Sequence, residues 1–66
     1  SPVEYINLIR VRTACEKLKK TDRSATDIGT ECGFASDSAF NRNFRKLMGM
    51  SPAEWRKREK IMSSYS

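Results

Sequence analysis

Two glycines and a proline partition the segment 28–52, IGTECGFASDSAFNRNFRKLMGMSP, and constrain the fold more than any other stretch of the chain. Ile28 and Cys32 stand one helical turn apart before Gly33, and apolar residues resume at helical spacing as Phe40, Phe44 and Leu47 before Gly49 and Pro52 close the run. The pattern predicts a short helix, a tight turn and a second helix with phenyl groups on one side and polar groups on the other. A turn the length of Gly33-Phe34-Ala35 sets two helices at a steep angle, the build of a helix-turn-helix.

Further helix starts can be read from capping chemistry, because an N-cap hydroxyl followed three residues later by a carboxylate satisfies orphan amides from both sides. Ser1-Pro-Val-Glu4, Ser24-Ala-Thr-Asp27 and Ser51-Pro-Ala-Glu54 have this form, the outer two with proline where its missing N–H costs nothing. Ser36 caps a fourth start, although Ala39 has no group to return the bond. With Gly33 and Gly49 as stops, helices are predicted over 2–20, 25–32, 37–48 and 52–61, and no strand signal is present. The fold class is all-α, a small bundle of four helices.

Met50 precedes the last cap and Trp55 follows at the fourth helical position, where two apolar side chains clasp across a helix start. The first start carries Tyr5 in the equivalent place and nothing before Ser1. Reading SPVEY and SPAEW as one repeated device makes 1–20 a linker helix, 21–61 the second of two helix-turn-helix subdomains and 62–66 a tail. An earlier helix-turn-helix unit and any effector domain are then expected to be absent from this chain. At about 100° per residue, Tyr5, Ile6 and Ile9 fall on one side of the first helix, and Leu8, Val11, Ala14, Cys15 and Leu18 on the other. The second stripe is expected to cover the helix-turn-helix, and the first to favour self-association.

Thirteen Lys and Arg against eight Asp and Glu give a net charge of +5 in 66 residues, which favours polyanionic partners. Histidine is absent, and Cys15 and Cys32 form no CxxC pair, so neither a zinc cluster nor a Cys-His nucleophile can be assembled. No enzyme activity, metal or cofactor is expected. The cysteines read as small buried hydrophobes in a reducing, cytoplasmic setting. No apolar run approaches the ~20 residues of a membrane span, and the basic residues are too dispersed for a membrane-surface helix.

Projected around the axis, Ser38, Asn41, Arg42 and Arg45 of the third helix form a stripe roughly 100° wide opposite the phenylalanines. Arg42 matches guanine O6 and N7, Asn41 matches adenine N6 and N7, and Asp37 and Ser38 stand in the first turn, where recognition helices touch base edges, Asp37 as an acceptor for a cytosine amine. An ordinary solvated helix face would carry a similar stripe, but the surround favours DNA. Ser24 and Ser36 start helices whose exposed amides suit phosphate, and Arg45, Lys46 and Arg56, with Lys57 and Arg58, extend the positive surface. Lys17, Lys19, Lys20 and Arg23 add a second basic edge.

The order S-P-x-x-Y, then Arg10-Val11, Ala14, Leu18, Thr21, Ile28, Gly33-Phe34, Ser36, Phe40, Arg42, Phe44, Gly49, Ser51-Pro52, an acid and an aromatic resembles the C-terminal DNA-binding domain of AraC/XylS-type transcription regulators. The resemblance implies two helix-turn-helix units of the homeodomain-like kind joined by a long helix and seated in successive major-groove segments, with this chain matching the linker helix and the second unit. It implies a bacterial, nucleoid-associated activator, with double-stranded DNA as partner and base-reading positions at Asp37, Ser38, Asn41 and Arg42. Two departures stand out. Gly29 replaces a usual alanine, which loosens a helix by up to ~1 kcal/mol, and Asp37 brings negative charge close to DNA. The acidic Asp37 keeps open a second role, a protein-interaction module that contacts RNA polymerase subunits.

Overall fold

Each predicted helix start is a serine whose hydroxyl accepts a bond from the third amide beyond it. The distances are 3.4 Å from Glu4 to Ser1, 3.1 Å from Asp27 to Ser24, 3.1 Å from Ala39 to Ser36 and 3.2 Å from Glu54 to Ser51. The computed structural model describes residues 1–64, which form α1 (Pro2–Lys20), α2 (Ala25–Glu31), α3 (Asp37–Met48) and α4 (Pro52–Ser64). No strand occurs among the described residues.

Glu4 and Glu54 close their boxes by accepting from the N-cap nitrogens, each at 3.4 Å. The box at Ser24 is one-sided, since the Asp27 side chain is one methylene shorter than glutamate. Helix α4 runs past its expected end through 62–64, where neither glycine nor proline interrupts it, so most of the expected tail is helical. Residues 65–66 lie outside the described residues.

The turn between α2 and α3 follows from Gly33, whose φ of 99° is costly for any residue with a Cβ. Its amide donates to Thr30 O and the Phe34 amide to Gly29 O, both at 3.1 Å, and these paired bonds satisfy the last carbonyls of α2. Phe34 then drops onto the core. A Cβ on Gly29 would lie 2.5 Å from the Phe40 ring, so the missing methyl lets α3 seat directly on the α2 backbone. The position expected only to loosen α2 is occupied by close packing.

Val11, Ala14 and Leu18 of α1, Ile28 of α2, Phe34 of the turn and Phe40 and Phe44 of α3 form the buried core. Rings run through it as a ladder, with centroids 5.2 Å apart for Phe34 and Phe40, 5.8 Å for Phe40 and Phe44, and 6.1 Å for Phe44 and Trp55. Two expected members are missing. Leu47 is 42% exposed, beside the polar Glu4 and Asn7 of α1, which offer it no apolar cover. Leu8 is 39% exposed because it stands roughly a quarter turn from the seam of Val11, Ala14 and Leu18. Tyr5, Ile6 and Ile9 are also uncovered, as the two-stripe pattern predicts.

Candidate nucleic-acid interface

Burying Phe40 and Phe44 forces the opposite side of α3 outward. Ser38, Asn41, Arg42 and Arg45, with Ser51, line an open depression of about 410 Å³. These are the four residues the helical projection brings together. The side chains of Ser38 and Arg42 are exposed and make no hydrogen bond or ion pair within the described residues. Arg45 leans toward Glu54 at 3.7 Å, an exposed pair of the kind that contributes little. The Ser51 hydroxyl and amide, together with Arg45, hold the Glu54 carboxyl below its ordinary value.

Asn41 is half-buried, and its Nδ2 donates to the Asp37 carbonyl at 2.9 Å. That bond uses one amide hydrogen and leaves Oδ1 and the second N–H for a ligand. The Asp37 carboxylate accepts from the Thr26 hydroxyl at 3.2 Å, so α2 holds the first residue of α3. Thr26 was not singled out by the sequence. A threonine in the first turn of a short helix carries no local signal for a partner eleven positions away.

The phosphate candidates separate in space. Ser36 and Ser24 are exposed at helix starts, and their hydroxyls accept the capping bonds. Lys46 is exposed but shares a depression with Glu4, Asn7, Asn43 and Leu47, at the side of α3 nearer the start of α1. Arg56 is a correction. Its Nε donates to Leu18 O at 3.1 Å and its Nη2 to Thr21 O at 3.2 Å, so the guanidinium caps the end of α1 instead of facing outward. Carbonyls orphaned at a helix C-terminus attract such a cation.

The basic edge formed by Lys17, Lys19, Lys20 and Arg23 is likewise reduced. Glu31 accepts from Lys17 at 3.1 Å and also pairs with Arg23, tying the end of α2 to α1 and the following loop. The Lys17 hydrogen bond, with the charges of Arg23 and Lys17, holds the Glu31 carboxyl below its ordinary value. Arg10, unassigned by the sequence except as part of the resemblance, lies over the turn with its guanidinium against Gly33.

Both cysteines are free and half-buried. Burial, with Glu59 nearby, pushes the Cys15 thiol up to about 11, and burial raises Cys32 as well, so neither is a ready thiolate at neutral pH. Among the described residues no cluster of three or more His, Cys, Asp or Glu could hold a metal ion. Among the described residues no helix is long and apolar enough to cross a membrane.

A family model described as a helix-turn-helix domain matches residues 1–58. The chain is 39% identical over 56 residues, 85% of its length, to the HTH-type transcriptional activator RhaS of Enterobacter sp. (strain 638). It is 41% identical over 54 residues, 82% of its length, to the melibiose operon regulatory protein of Escherichia coli K12. A third relative is the MmsAB operon regulatory protein of Pseudomonas aeruginosa, 31% identical over 58 residues and 88% of this chain. The matches span 20%, 18% and 19% of those proteins, so the chain covers about a fifth of the length of the curated relatives. No solved structure matches it.

Proposed function

Because the chain belongs to the AraC-type helix-turn-helix family of transcription regulators, we propose that it is the sequence-specific DNA-binding part of a bacterial regulator. Its relatives are regulators, not enzymes. In this reading α1 is a linker helix, α2 and α3 are the second of two helix-turn-helix units, and α3 enters a major groove. The observation that carries it is the division of α3, with Phe40 and Phe44 wholly buried and Ser38, Asn41, Arg42 and Arg45 gathered along the opposite face. Arg42 donates to guanine, while Ser38, Asp37 and Asn41 meet neighbouring base edges. The amides beside Ser36 and Ser24, with Arg45 and Lys46, supply phosphate contacts that position the helix without reading sequence.

Titrating labelled duplexes with wild type and Arg42→Ala tests the assignment. The variant is expected to lose about 1–3 kcal/mol on the preferred sequence and to discriminate less at the guanine step. Equal losses on every sequence would remove Arg42 from the reading role. The chain spans only part of its relatives, and a second reading is a protein-interaction module that contacts RNA polymerase instead of DNA. Negative Asp37, fixed at the front of α3, is the feature that favours such a contact. Binding to a polymerase subunit without DNA binding at low salt would decide for it.

The uncovered face of Tyr5, Ile6 and Ile9, 65%, 45% and 46% exposed, is the surface through which we expect two copies of this chain to meet. Sedimentation velocity should then show association that rises with concentration and is weakened by Ile9→Glu. A monomer at millimolar concentration would count against it.

A further inference from the structure

Thr26, Asp37 and Asn41 form a continuous line of hydrogen bonds along the edge of α3 nearer α2. The Thr26 hydroxyl donates to Asp37 Oδ1 at 3.2 Å, and the carbonyl of the same aspartate accepts from Asn41 Nδ2 at 2.9 Å. One residue of α2 thereby orients the carboxylate at the front of the reading helix. Without that bond, an aspartate at the first helical position would be free to turn back on the unpaired amides of its own first turn. With it, one carboxylate oxygen is engaged and Oδ2 remains as an acceptor. The negative charge that would repel a phosphate becomes an acceptor of fixed direction.

We propose that Thr26 is a specificity-positioning residue, acting through Asp37 to make this edge of α3 read the exocyclic amine of cytosine or adenine. The inference rests on the groove-reading role proposed above. Among major-groove atoms only the cytosine N4 and adenine N6 amines donate, so a fixed carboxylate oxygen has those two groups as its natural partners. The opposite edge, Arg42, presents donors alone. The helix therefore offers acceptor chemistry toward α2 and donor chemistry away from it.

The test selects preferred duplexes from a randomised pool with the 66-residue chain and then removes single base atoms from the selected sequence. Replacing cytosine by 2-pyrimidinone, or adenine by unsubstituted purine, deletes the amine, and 7-deazaguanine deletes the guanine N7 that Arg42 would contact. At one position amine removal should weaken wild type roughly fivefold, the equivalent of one hydrogen bond. Thr26→Ser should keep that penalty, the isosteric Thr26→Val should shrink it, and in an Asp37→Ala background residue 26 should have no effect on it. The 7-deazaguanine penalty should be the same in all Thr26 variants, and circular dichroism melts confirm that each is folded. An amine penalty equal in wild type and Thr26→Val, or none at any position in wild type, overturns this inference while leaving the role of α3 intact. Absence of any guanine N7 penalty that Arg42→Ala removes overturns the groove-reading role, and this inference with it.

Discussion

Phe44→Ala should leave no cooperatively folded protein at 37 °C. The Phe44 side chain has no solvent exposure and stands between Phe40 and Trp55, at centroid distances of 5.8 and 6.1 Å, so its loss removes the central rung that joins α3 to α4. Truncating a buried phenylalanine costs about 3–5 kcal/mol through lost burial and the cavity left behind. A domain of 66 residues has about 3–10 kcal/mol in total, so the deficit is comparable with the whole stability. Thermal melts followed by circular dichroism should shift down by tens of degrees or lose their transition. A variant melting within about 5 °C of wild type would mean that the ladder does not hold the fold.

Arg56→Ala separates two roles that sequence alone merges. If the guanidinium caps α1, as its bonds to Leu18 O and Thr21 O indicate, removing it frees two carbonyls and costs about 1–3 kcal/mol. The melting midpoint should fall by about 5–20 °C. DNA affinity of the folded variant should keep its dependence on salt, because no phosphate contact is lost. Each phosphate contact contributes about 0.9 to the slope of log affinity against log salt, so a slope reduced by about one with an unchanged melt would return Arg56 to the backbone contacts. Arg56→Lys should recover little, since a point charge cannot hold both carbonyls in the fork geometry.

The parts of the fold legible in the sequence are those determined within one helical turn. Four serines mark four helix starts because the capping bond spans only three residues. Gly33 and Gly49 mark stops because both take positive φ. The polar face of α3 could be foreseen because burying Phe40 and Phe44 fixes the rotation of the whole helix. Pairings between elements were not legible. The sequence shows Arg56 only as part of a positive surface because its carbonyl partners lie thirty-eight and thirty-five positions away, and it shows Lys17 and Arg23 only as a basic edge because Glu31 meets them once α2 has folded back. Helical periodicity puts Leu8 and Leu47 on the apolar sides of their helices, but burial also needs a facing apolar neighbour, and the two remain 39% and 42% exposed.

The two-sided build of α3 also bears on how such a protein can diversify. Ser38 and Arg42 share no hydrogen bond or ion pair with the rest of the described chain, while Phe40 and Phe44 hold the interior together. Exposed side chains without internal partners can usually be exchanged at a cost of about 0.5 kcal/mol or less, so replacing Ser38 or Arg42 leaves the fold almost untouched. If α3 reads DNA as proposed, descendants of one ancestral scaffold can drift to new operators by outward replacements alone, with their phenylalanines left in place.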